Sequence, residues 1–170
     1  MTARIFSVAL SLAFLTVLPT PAAEIYLVRH AEKVTEASKD PALTEIGSQR
    51  AQNLADVLRS AGITKIYSSD YTRTRDTAAP LAEHLGLELQ LYDPKALDSL
   101  AADLLRLTEN ALVVGHSNTT PELAKLMGGE GGTPIVEEWE YDRLYLLQTE
   151  NGKVTRTMLL HLPPATTPPE

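Results

Sequence analysis

The chain alternates two hydrophobic rhythms. Short runs at residues 24–28, 63–67, 87–92 and 111–114, the last of them fully apolar, read as strands, and 111–114 has the make-up of a strand in the middle of a sheet. Between them, apolar positions recur at helical spacing. Gly47, Ala51, Leu54, Ala55 and Leu58 form one stripe, with Thr44 as its N-cap and a helix expected to run to about Ala61, before Gly62. Thr74, Thr77, Ala78, Leu81, Ala82 and Leu85 form a second, opening near Tyr71 and closed by Gly86. Leu97, Leu100, Ala101, Leu104 and Leu105 predict a third over 97–107, and a short fourth helix is expected over 121–127. After the glycine-rich stretch 128–132 the rhythm becomes that of a hairpin, 141–149 and 153–161, turning at Glu150-Asn151-Gly152. The order predicts an α/β fold: a three-layer α/β/α sandwich with a mainly parallel central sheet and an antiparallel C-terminal hairpin.

The ends read differently. Arg4 precedes an apolar stretch from Ile5 to Leu18 and then Pro19-Thr20-Pro21-Ala22-Ala23, the pattern of a secretory signal peptide cut after Ala22 or Ala23. The apolar run is shorter than the ~20 residues that span a membrane, so no stable membrane insertion is expected after cleavage. The expected organisation is a signal over 1–23, a domain over 24–161 and a disordered Pro/Thr-rich tail over 162–170. The product would be exported, periplasmic or secreted.

Composition narrows the chemistry. A length of 170 residues with 44% hydrophobic and 22% charged residues suits one globular domain. A formal charge of −7 argues against nucleic acid as a partner and makes the position of each arginine informative, since an anionic ligand would need a locally positive pocket. With no cysteine, a thiolate nucleophile and a Cys-based metal site are excluded. No metal-ligand cluster or phosphate-binding glycine loop is recognisable, no cofactor is expected, and nothing in the sequence bears on oligomeric state.

In a parallel sheet ligands bind beyond the carboxyl ends of the strands, and three segments bring cations to that edge. The first strand ends in Arg29-His30, the second leads to Arg73 and Arg75, and the strand at 111–114 leads to His116. An arginine in the first turn of a helix opposes the positive end of its dipole, so Arg73 makes sense beside an anion, whereas Arg75 reads as a solvated surface residue.

Three segments also carry a resemblance. Val28-Arg29-His30-Ala31 resembles an Arg-His-Gly signature with Ala in the glycine position. Ser69-Asp70-Tyr71-Thr72-Arg73-Thr74-Arg75-Asp76-Thr77-Ala78 resembles an S-x-x-x-R-[AT]-x-x-T-A block, and Val114-Gly115-His116-Ser117 a strand end with a second histidine. Together with Leu43-Thr44-Glu45-Ile46-Gly47 they resemble the histidine phosphatase (phosphoglycerate mutase-like) superfamily, in a small exported form. The resemblance implies a phosphatase acting on a phosphate monoester or phosphohistidine, a small-molecule or envelope ester. His30 would be the nucleophile that becomes phosphohistidine, Arg29 and Arg73 would bind phosphate oxygens, and His116 would donate to them in the transition state. It leaves the general acid unassigned: Asp93, Asp98 and Glu122 are the candidates. Two other readings compete. A phosphatase fold could hold a phosphorylated ligand without turnover. Alternatively Ser117, with Asp142 and His161 in triad order, partly resembles a serine hydrolase elbow, but Thr119 stands where the last glycine is required.

Overall fold

A computed structural model describes residues 22–35 and 38–168; the expected signal, apart from Ala22 and Ala23, lies outside the described residues. Six strands and four helices follow in the order β1 (Ala22–Arg29), α1 (Glu45–Leu58), β2 (Ile63–Ser69), α2 (Thr72–Leu85), β3 (Leu89–Tyr92), α3 (Leu97–Leu104), β4 (Asn110–Gly115), α4 (Thr119–Leu126), β5 (Arg143–Glu150) and β6 (Lys153–His161). They build one sheet in the order β3-β2-β4-β1-β5-β6. The first four strands of that order are mutually parallel, and β5 and β6 are antiparallel to their neighbours. The architecture is the expected α/β sandwich with its C-terminal hairpin.

Strand side chains alternate between faces, and both faces are buried, which is why 25–28 of β1 and 111–114 of β4 carry no charged residue. Tyr26, Val28, Leu112, Val114, Leu144 and Leu146 pack in the core shared with α1 and α2. Ile25, Leu27, Ala111, Val113, Tyr145 and Leu147 pack in the second core, with α3 and α4. The middle of the sheet is therefore fixed from both sides, and the ends of β1, β2 and β4 are held in register at one edge.

Element boundaries differ where the last turns tighten. Helix α1 stops at Leu58 rather than Ala61, with Ala61 N–H bonding back only to Leu58 O, and α3 stops at Leu104 because Leu107 N–H bonds to Leu104 O. Such i→i+3 bonds are a common way to end a helix. Helix α4 begins at Thr119, with Pro121 in the first turn where its missing N–H costs nothing.

The tail departs from expectation. Leu162 is buried in the α1/α2 core. The Pro163 and Pro164 carbonyls accept from Asn53 Nδ2 (3.2 Å) and Arg50 Nη1 (2.8 Å), and Thr166 N–H donates to Asp142 (3.2 Å). The stretch expected to be disordered from 162 instead lies back over α1 as far as it is described.

Candidate active site

The last residues of β1 deliver the nucleophile candidate. His30 N–H bonds to Gly115 O (2.9 Å), which ties the turn after β1 to the end of β4. Its ring Nδ1 lies 2.8 Å from Ala31 O. A carbonyl can only accept, so Nδ1 carries the proton and Nε2 keeps its lone pair. The ring is 3% exposed, and its pKa is lowered to about 3. Burial is the main cause, and Arg29, Arg73 and His116 add to it against the pull of the Ala31 carbonyl. At neutral pH the imidazole is uncharged, with a free lone pair on Nε2.

The next turn is clasped onto α1. Thr44 N–H donates to Glu32 O (2.9 Å), and Arg50, itself buried, holds the Glu32 carboxylate through Nε and Nη2 at 2.7–3.0 Å. Ala31 N–H is bound by Thr77 Oγ1 of α2 (2.9 Å). The main chain on both sides of His30 is thus fixed by two helices.

His116, after β4, faces His30 with ring centroids 5.6 Å apart. Its Nδ1 faces Arg73 Nη2 at 3.5 Å, and its Nε2 lies 2.9 Å from Ser69 Oγ. Because a guanidinium only donates, Nε2 is the protonated nitrogen and passes its hydrogen bond to Ser69, then on to Thr74 (3.1 Å). Burial, followed by the charges of Arg73 and Arg29, lowers the His116 pKa to about 4. The serine and threonines around Arg73 therefore each have work: Ser69 orients His116, Thr74 orients Ser69, and Thr77 holds Ala31.

The two arginines differ. Arg73 lines the cleft, its guanidinium over the Tyr71 ring (4.4 Å) and its Nη1 3.6 Å from Asp40. Asp40 also accepts from Thr72 N–H (2.9 Å) and Thr72 Oγ1 (2.7 Å), so the carboxylate that settles the start of α2 comes from the loop before α1. Arg75 pairs with Asp70 at the surface, as expected. Arg29 is 3% exposed and does not line the cleft. Its Nη groups donate to the carbonyls of Val136 (3.3 Å), Glu137 (2.7 Å) and Glu140 (2.9 Å), and its face stacks on Tyr141 (3.9 Å). Among the described residues three buried side-chain polar atoms lack a partner, and two of them are the Nε atoms of Arg29 and Arg73. Buried donors without acceptors are rare, and both belong to the arginines beside the histidine pair.

These groups surround a cleft of about 450 Å³, lined also by Lys33, Tyr71, Pro94, Lys95, Asn118 and Thr119. Ser117 lines it too, but Asp142 and His161 do not; they pair with each other at 3.1 Å, and Asp142 also accepts from Thr166 N–H of the tail. Of the three acid candidates none lines the cleft: Asp98 and Glu122 are exposed on α3 and α4, and Asp93 accepts from Lys95 N–H in a turn (2.9 Å). The carboxylate that does line it is Glu137, which sequence reasoning missed. Its signal lay in the topology: a strand antiparallel to β1 begins where β1 ends, so the loop entering β5 had to arrive at the edge that carries His30. Among the described residues no group of three or more His, Cys, Asp or Glu could hold a metal ion.

Residues 25–94 match the model of the histidine phosphatase superfamily (branch 1). The chain is 35% identical over 97 residues to a probable phosphoglycerate mutase, GpmB, of Erwinia tasmaniensis, a match over 47% of this chain and 45% of that protein. It is 41% identical over 78 residues to the protein of the same description from Yersinia pestis, covering 42% and 36%. The chain thus spans less than half the length of these curated relatives. Among solved structures, the protein histidine phosphatase SixA complexed with tungstate superposes with a TM-score of 0.65 at 16% identity, covering 81% of this chain and 96% of that one. A mycobacterial glucosyl-3-phosphoglycerate phosphatase gives 0.62 at 16%, covering 83% and 98%. At such identities the structures speak to the fold.

Proposed function

We propose that this chain, which belongs to the histidine phosphatase superfamily, is a phosphatase that hydrolyses a phosphate monoester or phosphohistidine through a phosphohistidine on His30. The observation that carries the reading is a neutral, buried imidazole whose Nδ1 is tied to Ala31 O, leaving Nε2 as the base beside Arg73 and His116. In the first step Nε2 attacks phosphorus, the N–P bond forms and the P–O or P–N bond to the leaving group breaks. Arg73 donates to the oxygens on which charge spreads. His116, proton on Nε2 in the free site, gains a proton on Nδ1 as the anion arrives, because a nearby negative charge favours the imidazolium. In the second step water attacks phosphorus, inorganic phosphate leaves and His30 is restored.

Glu137 is assigned the proton transfer at the leaving atom. It hands a proton to the departing oxygen or nitrogen in the first step and recovers one from the attacking water in the second. Arg29 is assigned to hold the loop that carries Glu137, with its remaining Nε donor available to the phosphate.

Phosphate release from phenyl phosphate and from a phosphohistidine peptide tests the reading. His30→Ala should abolish both, and an acid-labile phosphoprotein should be trapped with the wild type alone. Tight phosphate binding without any turnover would make the protein a binding module. We place the protein outside the cytoplasm, acting on an envelope phosphate ester, on the strength of the N-terminal pattern. Cell fractionation with N-terminal sequencing of the mature chain tests that placement, and a cytoplasmic protein that retains Met1 would refute it.

A further inference from the structure

The cleft does not end at Tyr71 and Pro94. These residues and Lys95 also line a second, open groove of about 540 Å³, whose other wall is Leu91 and Tyr92 of β3. Because β3 is the edge strand of the sheet, the groove follows the outer margin of the molecule away from the histidine pair. Leu91 is 55% exposed there. A single exposed leucine is ordinary surface; this one lies in a concave wall continuous with the reactive centre.

The other walls agree with it. Tyr71 stands at the junction, its ring 5.1 Å from that of His116 and nearly perpendicular to it. Asp70, Asp93 and Lys95 line the groove as well, Asp70 paired with Arg75 and Asp93 accepting from the Lys95 amide; between them leucine, proline and tyrosine form its apolar part. In an in-line attack the leaving group departs on the side opposite the nucleophile, outward from the buried His30 ring to the mouth that the two cavities share. A polyhydroxylated leaving group would gain nothing from Leu91, Pro94 and the Tyr71 ring. An apolar one would gain from burial.

We propose that the group esterified to the phosphate is apolar, an aryl or alkyl body that passes over Tyr71 and Pro94 and lies against Leu91. The proposal rests on the phosphatase reading above and narrows its substrate class from phosphate esters in general to esters of apolar alcohols or phenols.

The test is a series of 4-alkylphenyl phosphates, in which the acidity of the leaving phenol stays nearly constant while the alkyl chain grows from methyl to pentyl. With the wild type, kcat/KM should rise about two- to fourfold for each added methylene, the upper value corresponding to full burial. Leu91→Asn, at a solvent-exposed position and outside the phosphate site, should flatten the series while leaving turnover of phenyl phosphate unchanged. A flat wild-type series with measurable turnover would overturn this proposal alone. So would a rise that Leu91→Asn leaves intact, or sugar phosphates turned over faster than every alkylphenyl ester. Absence of turnover on every ester would overturn the phosphatase reading and this proposal with it.

Discussion

Arg29 donates to three main-chain carbonyls of the segment before β5, whereas Arg73, stacked on Tyr71, has only long polar contacts to His116 and Asp40 at 3.5–3.6 Å. The two should therefore fail in different ways. Arg29→Met leaves the carbonyls of residues 136, 137 and 140 without this donor, and the buried one, Glu140 O, should alone cost about 1–3 kcal/mol in a denaturant titration. Arg73→Met should leave the midpoint near that of the wild type and lower kcat by about 10²–10³, the scale for removing a transition-state donor. An Arg29 variant as stable as wild type would return that residue to direct phosphate binding alone. The place of Arg73 was legible from its position at the start of a helix; the hold of Arg29 on the loop was not, because main-chain carbonyls carry no sequence signature and the pair Arg29-His30 looks the same whether the arginine faces phosphate or protein. Glu137 escaped for a related reason: its place depends on where an antiparallel strand begins, not on its neighbours in the chain.

The histidines add a pH dependence with a definite sign. Both folded-state pKa values, about 3 for His30 and about 4 for His116, lie below the roughly 6.5 of an unfolded chain. The unfolded state therefore binds more protons below pH 6.5, and stability falls as pH drops from there towards 4. Thermal midpoints at pH 7.5, 6, 5 and 4 should decline, and the decline should be shallower in the double variant His30→Asn, His116→Asn. Superimposable curves would mean that the fold does not hold these rings neutral.

At the scale of elements, Gly47 belongs to the α1 stripe by spacing, yet packing of the helix is not what requires a glycine. A Cβ there would stand 2.1 Å from Glu32 O, the carbonyl that accepts from Thr44. Gly47→Ala must push that carbonyl away, and with it the main chain two residues beyond His30. Overpacking of this kind costs about 1–3 kcal/mol or more, and kcat should drop although the substituted residue lines no part of the cleft. Ala51→Gly, on the same stripe, is the comparison: a similar loss of stability with kcat intact. Equal kcat values for the two variants would show that the turn does not depend on α1. The stripes, the Thr44 cap and the Gly86 stop were readable because periodicity and capping are local. The clasp between α1 and the His30 turn was not, since it joins two segments only after folding.

For the whole molecule the same distinction governs the tail. Its Pro- and Thr-rich composition correctly excludes a core of its own, but composition is silent on whether a segment can complete another element's core. Leu162 does so, and the carbonyl of Pro164 fills a donor of Arg50, the residue that holds Glu32 next to the nucleophile turn. A chain ended after His161 should lose about 1.5–3 kcal/mol for Leu162 and a further ~1 kcal/mol for each of the bonds to Arg50 and Asp142. It should also lower kcat, because Arg50 is then freer to leave Glu32. Leu162→Ala alone should reproduce the larger part of the stability loss with little change in kcat, separating the buried side chain from the hydrogen-bonded strap. If the truncated chain matches wild type in both midpoint and kcat, the tail merely lies on the surface, and the hold on the catalytic turn resides in Arg50, Glu32 and Gly47.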